Sequence, residues 1–310
     1  MMSDTVVIGT RGSKLALIQV DWVVNRIREH SPGTDIRIEI IKTTGDKNKN
    51  AAFINIGAMG IFVREIEHAL LDNKIDIAVH SLKDLQTDID PALEISAIGD
   101  RVGARDVLLS REGHTFAKLP NAAIIGTSSA RRRGLILTRR KDFQLRECRG
   151  NLETRIRKLQ EGQFDAIVMA EAGLQRLGMT DVITEYLEPK WFVPAVGQGA
   201  LGIEVRTDDR KTKNLVKHLN HLPSFLACTE ERDFLSRVGG GCHAPVGAYV
   251  RFEGEAALMD VFVGTIDGSW HIHCEASVPS SDLVGLGRKL AEEVKNTEGS
   301  SAFFEELNHN

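Results

Sequence analysis

The chain has 310 residues, of which 42% are hydrophobic and 26% charged, and its formal net charge is −4. This composition indicates a globular protein with a large core and roughly two or three domains. No apolar run reaches the about 18 residues that span a membrane, the N-terminus lacks a signal-peptide pattern, and the four cysteines show no CxxC spacing. We therefore expect a cytoplasmic protein without a disulfide framework, a metal site or membrane contact.

Short apolar runs alternate with amphipathic helical stretches over most of the chain, which is the pattern of α/β domains. Strands are predicted over 5–8, 35–41, 75–79, 93–98, 106–109, 123–125, 144–147, 166–169 and 201–205. Helices are predicted over 14–29, 62–72, 130–138, 152–160, 171–177, 211–220 and 223–237. The last 90 residues instead predict antiparallel strands over 248–252, 256–263 and 270–276, turns at Gly254 and Gly268, a helix over 281–294, and a polar end that frays.

Two glycine-containing segments, 98–105 and 193–200, lie between strand runs and are predicted hinges. If both connect the same two α/β lobes, the chain crosses out and back, and the cleft between the lobes is the expected binding site. A two-lobed arrangement of this kind resembles the architecture of periplasmic solute-binding proteins. That analogy concerns the fold and carries no function by itself.

A strongly basic stretch lies between Gly126 and Arg155, where eight arginines give a local net charge of +6 in an acidic chain. Arginine suits an anion site because its planar fork grips carboxylates or phosphates in pairs. The first arginines follow small hydroxyl residues, which can cap a helix and aim backbone N–H groups at an anion. The alternative is a solvated basic helix face.

Several charged residues fall where predicted strands end, the side of an α/β sheet that faces the ligand. Ser81, Lys83 and Asp84 follow one buried-type strand, so Asp84 could stabilise a cation or move a proton, or could simply form a local ion pair. Arginines at neighbouring strand-to-helix turns imply a ligand with several carboxylates; they are Arg11, Arg131, Arg132, Arg149 and Arg155.

Cys242 follows three consecutive glycines and precedes His243. Glycines let the backbone approach a ligand closely, so a thiol on such a loop is placed to react or to carry a group covalently. The alternative is an ordinary buried cysteine. Adjacency in the sequence is weak evidence that His243 activates the thiol.

Short motifs occur in a fixed order between residues 9 and 247: Gly9-Thr10-Arg11-Gly12-Ser13-Lys14-Leu15-Ala16 with Gln19, Lys42-Thr43-Thr44-Gly45-Asp46, 76–84, 126–132, Arg149-Gly150-Asn151 with Thr154-Arg155, Ala172-Gly173-Leu174 with Arg176, 194–202, and Gly240-Gly241-Cys242. In this combination the chain resembles the hydroxymethylbilane synthase (porphobilinogen deaminase) family. The resemblance implies an α/β fold with two periplasmic-binding-protein-like lobes that contain mixed sheets, 1–99 with 200–217 and 100–199. A smaller α+β C-terminal domain with an antiparallel sheet, 218–310, would carry the cofactor.

The implied activity is that of a monomeric transferase in haem biosynthesis. It deaminates porphobilinogen and joins four units to a dipyrromethane cofactor, held on Cys242 by a thioether, before the linear tetrapyrrole hydroxymethylbilane is released. Asp84 is the implied catalytic residue, since its carboxylate would stabilise a cationic azafulvenium and move protons. The residues implied to hold the cofactor, besides Cys242 and Asp84, are Ser81, Lys83, Thr127, Ser129, Arg131 and Arg132. Those implied to bind the incoming and growing rings are Arg11, Ser13, Gln19, Arg149, Arg155, Arg176 and Gln198.

Some positions depart from the family's pattern. Met59 stands where a lysine is usual, Gln86 where a proline is usual, and Gly239 where an acid is common. The stretch Val102-Gly103-Ala104 replaces two acids and a proline, so we expect a looser hinge and altered elongation with the chemistry retained.

Two other function classes stay open. One is a non-catalytic binding protein for a polycarboxylate or tetrapyrrole, which the two-lobed fold and the missing lysine favour. The other is phosphate or nucleic-acid binding by the arginines. Aromatic residues are only 5% of the chain and its total charge is acidic, and both facts argue against a nucleic-acid partner.

Overall fold

The computed structural model describes residues 5–41, 60–239 and 244–309, so the motif at 42–46, Met59 and Cys242 lie outside the described residues. The strands are β1 (Val6–Thr10), β2 (Ile36–Ile40), β3 (Ile77–Ser81), β4 (Leu93–Ile98), β5 (Asp106–Ser110), β6 (Ile124–Gly126), β7 (Gln144–Arg146), β8 (Ala166–Ala170), β9 (Glu185–Leu187), β10 (Leu201–Arg206), β11 (Val246–Glu253), β12 (Ala256–Gly264) and β13 (His271–Pro279). The α-helices are α1 (Lys14–His30), α2 (Gly60–Leu71), α3 (Ala130–Arg139), α4 (Leu152–Gln160), α5 (Glu171–Leu177), α6 (Arg210–Val216), α7 (Leu222–Val238), α8 (Leu286–Lys295) and α9 (Ser300–His309).

The described residues form two compact units. The first unit comprises those within Met1–Val102 and Ala200–Phe225, and the second those within Gly103–Gly199 and Leu226–Asn310. The boundaries near residues 102 and 199 fall inside the two segments predicted as hinges. Hinge motion and the cleft stay predictions.

The first unit contains a mixed sheet in the order β2-β1-β3-β10-β4. Strands β1, β2 and β3 are parallel, whereas β10 runs antiparallel to both β3 and β4. Helix α1 begins after Ser13, whose Oγ accepts a hydrogen bond from the Ala16 N–H at 3.2 Å. Its buried Val20, Val23 and Ile27 recur at three- and four-residue steps, so one face of the helix covers the sheet.

The second unit contains another mixed sheet, in the order β7-β6-β8-β5-β9. Strands β6, β7 and β8 are parallel, and β5 runs antiparallel to β8 and β9. Because the carboxyl ends of the parallel strands share one sheet edge, the loops entering α3 and α4 lie on the same side.

The remaining sheet is antiparallel, in the order β11-β12-β13. Its inner face packs Met259 and Val261 against Phe234 of α7 and Leu290 of α8, all fully or almost fully buried. On the opposite face of β12, Phe262 lies in the same cluster as Leu108 of β5. This shared cluster explains why these residues belong to the same unit as 103–199.

The predicted α/β class is confirmed, with two lobes of mixed sheets and a smaller antiparallel sheet. The three-domain division stays a prediction. The sequence missed β9, and its prediction of a fraying end is wrong for α9. There Phe303 is buried and its ring stacks on Trp270 at a centroid distance of 5.2 Å, which gives the polar segment an apolar anchor.

Two turn glycines provide a test of this packing. Gly254 and Gly268 both have a positive φ, of 62° and 66°. A Cβ on Gly254 would meet no atom within 4 Å, whereas a Cβ on Gly268 would lie 2.7 Å from the backbone of Leu137 and Thr138 in α3. We expect Gly254→Ala to cost about 1 kcal/mol of unfolding free energy and Gly268→Ala about 3 kcal/mol, because the second adds overpacking to the φ strain. Urea denaturation measures both. Equal losses would contradict the contact between the β12–β13 turn and α3.

Candidate functional site

The first unit brings several predicted site residues to the carboxyl ends of β1 and β3, which are parallel neighbours. Arg11 directly follows β1, and Ser13 caps α1. Gln19 of α1 is buried, and its Nε2 donates a hydrogen bond to Ser81 Oγ at 2.9 Å. This bond connects the end of β3 to α1, so Gln19 fixes the position of the Ser81 hydroxyl.

Asp84 lies in the 3-10 helix Leu82–Asp84 that follows β3. The flanking Leu82 and Leu85 are buried and anchor the turn, whereas Lys83 and Asp84 are half-buried. Among the described residues, no side chain or backbone N–H donates to the Asp84 carboxylate, and Lys83 forms no ion pair with it. The alternative of a local ion pair between Lys83 and Asp84 is therefore wrong. A half-buried carboxylate of this kind is available to a ligand.

The second unit places Thr127 and Ser129 between β6 and α3. Thr127 Oγ1 accepts a hydrogen bond from the Ser129 N–H at 3.3 Å, and Ser129 Oγ caps α3 by accepting from the Arg132 N–H at 3.4 Å. Both hydroxyls thus order the helix N-terminus, whose first-turn N–H groups favour a nearby anion.

Arg131 and Arg132 are 4% and 6% exposed and share one carboxylate, Asp106, which is 0% exposed. The Nη1 of Arg131 lies 2.8 Å from Asp106 Oδ2, and the Nη2 of Arg132 lies 2.7 Å from Asp106 Oδ1. Both guanidinium groups also donate to carbonyls, of Val193 at 2.6 Å and of Val168 at 2.9 Å. Burial lowers the pKa of Arg131, and Asp106 opposes that effect. The alternative prediction, a solvated basic helix face, is therefore wrong for these two arginines.

The other basic residues of the second unit differ in exposure. Arg149 is exposed, and its Nε donates to Glu147 Oε2 at 2.9 Å. Arg155 is half-buried, and its Nε donates to the Gly150 carbonyl at 2.8 Å. Each sits beside the start of α4.

Arg176 and Gln198 each hold a backbone carbonyl in a segment predicted as a hinge. The Nη2 of Arg176 donates to the Gly199 carbonyl at 2.7 Å, and Gln198 Nε2 donates to the Ala104 carbonyl at 2.8 Å. Burial lowers the pKa of Arg176 to about 10, which leaves the guanidinium charged at neutral pH. Arg176 is therefore a partly desolvated cation that can bind a carboxylate.

Sequence reasoning missed two acidic residues that hold this unit together, Asp106 and Glu171. Glu171 is buried, and its carboxylate accepts from Arg105 Nε at 3.0 Å and from Gln175 Nε2 at 3.0 Å. The Gly103 N–H in turn donates to Gln175 Oε1 at 3.1 Å. The sequence did contain one indication of this role, because Asp106 is the first residue of an otherwise apolar strand. A carboxylate buried at such a position needs a counter-charge.

No helix in the described ranges is long and apolar enough to cross a membrane. In those same ranges, no three His, Cys, Asp or Glu side chains are grouped so as to hold a metal ion. The three cysteines that the structure describes, Cys148, Cys228 and Cys274, form no disulfide.

Asp106 provides a test of the buried charge cluster. We expect Asp106→Asn to lower the unfolding free energy by about 3–5 kcal/mol, because it leaves two buried guanidinium groups with no carboxylate. Asp142 is the matched control, since it also binds an arginine, Arg140, with Oδ1 2.8 Å from Nε, but lies at the surface. Asp142→Asn should change stability little, because water screens an exposed pair. Equal effects in chemical denaturation would contradict the cluster.

Comparison with known proteins identifies the family. The model for "Porphobilinogen deaminase, dipyromethane cofactor binding domain" matches residues 6–214, and that for "Porphobilinogen deaminase, C-terminal domain" matches residues 225–296. The porphobilinogen deaminase of Roseiflexus castenholzii is 43% identical over 300 residues, which cover 97% of this chain and 99% of that protein. The porphobilinogen deaminase of Brevibacillus brevis is 44% identical over 286 residues, 92% of each chain.

The solved structure of the VFT2 domain of Bordetella pertussis BvgS aligns with 69% of this chain and 85% of that domain, at 13% identity and a TM-score of 0.41. The two family models and the two relatives instead span almost the whole length of the protein. On that evidence, the chain belongs to the porphobilinogen deaminase family.

Proposed function

We propose that this protein deaminates porphobilinogen and joins four units into hydroxymethylbilane, with Asp84 as the catalytic residue. The observation that carries the assignment of Asp84 is its half-buried carboxylate, which follows β3 and accepts no hydrogen bond within the described ranges. The family match supports the activity, because the matched domain is the one that binds the dipyrromethane cofactor. We further propose a monomer in the cytoplasm, where thiols stay reduced.

The chemistry of the described side chains fits a dipyrromethane. Such a group carries carboxylate arms and pyrrole N–H donors, so it needs cations and an acceptor. Arg131 and Arg132 carry two positive charges beside the N-terminus of α3, and Asp106 neutralises one of them. Asp84 provides an acceptor that has no partner among the described residues. When bound through Cys242, the group supplies the free pyrrole carbon to which substrate is joined. Ser81, Lys83, Thr127 and Ser129 complete the residues that we assign to it.

Asp84 acts on the substrate as charge develops. The bond between the aminomethyl carbon and nitrogen breaks, the amine takes up a proton and leaves as ammonia, and the electron-poor azafulvenium keeps a positive charge. A carboxylate near the pyrrole N–H stabilises that charge and accepts or returns protons. Its half-buried position strengthens the interaction, because fewer water molecules screen it.

Arginines bind the carboxylate arms of the substrate and of the growing chain. We assign this role to Arg11, Arg149, Arg155 and Arg176, with Ser13, Gln19 and Gln198 as neutral partners. A substrate carboxylate would compete with Glu147 for the exposed Arg149. Arg176 keeps further N–H donors while one of them holds the Gly199 carbonyl.

Intact mass tests the attached cofactor. We expect the purified protein to be heavier than its sequence mass by two linked pyrrole units, because Cys242 would carry them through a thioether. Cys242→Ser should lose the increment, and Cys274→Ser, which changes another free thiol, should keep it. An unmodified wild-type mass would favour the non-catalytic binding protein instead, and an increment that survives in Cys242→Ser would contradict attachment to Cys242.

Turnover tests Asp84. Asp84→Asn should lower kcat at least about 100-fold, because an amide cannot stabilise a cation or take a proton. The control is Asp88→Asn, since Asp88 lies four residues on and is exposed. It should keep kcat within about twofold of wild type. Near-normal turnover by Asp84→Asn in protein of normal thermal stability would remove Asp84 from the mechanism.

A further inference from the structure

A buried histidine–glutamate pair lies directly behind the Ser81–Asp84 segment. His80 is the residue of β3 before Ser81, and its Nε2 lies 2.9 Å from Glu204 Oε2 on β10. The two side chains are 4% and 0% exposed. Neither has a role in the proposed chemistry, and both belong to the first unit.

The sheet itself creates the space for this pair. Strands β3 and β10 are antiparallel, with Gly202 opposite His80 and Glu204 opposite Ala78. The glycine and the alanine leave room on one face of the sheet, so the imidazole can reach diagonally to the carboxylate. Helix α2 covers that face, where Ile66, Ala69 and Leu70 cluster with Ala78.

Among the described residues, the His80 imidazole is the hydrogen-bond partner of the Glu204 carboxylate. Glu204 Oε1 is buried and has no hydrogen-bond partner within the described ranges. A buried carboxylate is costly unless hydrogen-bonded or paired. The hydrogen bond from His80 therefore offsets part of the cost of burying Glu204.

Other charged groups surround the pair. Glu67 of α2 interacts electrostatically with both Glu204 and His80, and also with His68 and Arg64 of its own helix. Burial, and then Glu204, raise the pKa of Glu67 above its ordinary value. On the same strand as Glu204, Arg206 is engaged with the Leu70 and Ile75 carbonyls. The Glu67 and Glu204 carboxylates thus both interact with the His80 imidazole, Glu204 through a hydrogen bond and Glu67 electrostatically.

We propose that His80 is a positioning residue, whose hydrogen bond to Glu204 fixes the end of β3 and thereby the placement of Asp84. This inference rests on the proposed function of Asp84. Ser81 follows His80 in the chain, and the 3-10 helix that carries Asp84 begins one residue later, at Leu82. The Leu82 N–H donates to the Ala200 carbonyl at 3.0 Å, immediately before β10. A shift between β3 and β10 would therefore move the 3-10 helix that carries Asp84. A displacement of about 1 Å at a catalytic group can cost 100-fold in rate.

Three variants test the positioning role. His80→Leu removes the donor, and we expect kcat to fall at least about tenfold while KM changes little. His80→Gln keeps an N–H donor and should recover most of kcat. His80→Leu combined with Glu204→Met replaces both partners by apolar groups, so the thermal midpoint should return toward wild type while kcat stays low.

Intact mass supplies a second readout. It is measured for each variant, so that loss of the attached group is not mistaken for loss of positioning.

A double-mutant cycle with Asp84→Asn separates failure of this inference from failure of the proposed function. If His80 acts through Asp84, His80→Leu should lower the residual rate of Asp84→Asn by less than about twofold. Full additivity of the two effects, or wild-type kcat in the apolar double variant, would overturn the positioning role. Near-normal turnover by Asp84→Asn alone would instead overturn the proposed function.

Discussion

The charge balance around Asp106 is the constraint on which the candidate site of the second unit depends. Two buried guanidinium groups, of Arg131 and Arg132, share one buried carboxylate. Buried cations are tolerated only where a counter-charge and carbonyl acceptors replace water, and Asp106 with the Val168 and Val193 carbonyls meets that need. The two arginines together carry one positive charge more than Asp106 neutralises. That surplus lies beside the N-terminus of α3, so an anion bound there meets a positive potential from both sources.

Asp84 shows how differently the same side chain behaves at another position in a sheet. Asp106 opens β5 and is fully buried and paired, whereas Asp84 follows the carboxyl end of β3 and is half-buried with no partner in the described ranges. A carboxylate already neutralised by arginines has little left to offer a cationic substrate. The chain thus keeps its structural carboxylate and its proposed catalytic carboxylate in separate units, each with the environment that its role needs.

Local patterns in the sequence predicted the parts of this structure that depend on neighbouring residues. Ser13 and Ser129 cap helices because a hydroxyl before a periodic stretch meets the N–H groups of the next turn. Gly254 and Gly268 occupy turns because both need a positive φ. The hydrogen bond between His80 and Glu204, in contrast, joins residues 124 positions apart. It depends on β10 returning beside β3, and apolar periodicity does not specify which strands become neighbours.

The crossover at residues 102–104 has packing contacts that residue type alone does not reveal. The looser hinge that glycine followed by alanine suggests stays a prediction, but a Cβ at Gly103 would meet the Glu171 side chain. A side chain at this position would have to displace the Glu171 carboxylate that accepts from Arg105, and the Gly103 N–H is held by Gln175 of the same helix.

Arg176, also on α5, holds the Gly199 carbonyl at the other crossover. Its guanidinium is thus fixed before any ligand arrives. An arginine ordered in advance loses less conformational entropy when it binds a carboxylate, so the packing of α5 favours the substrate-binding role that we assign to Arg176.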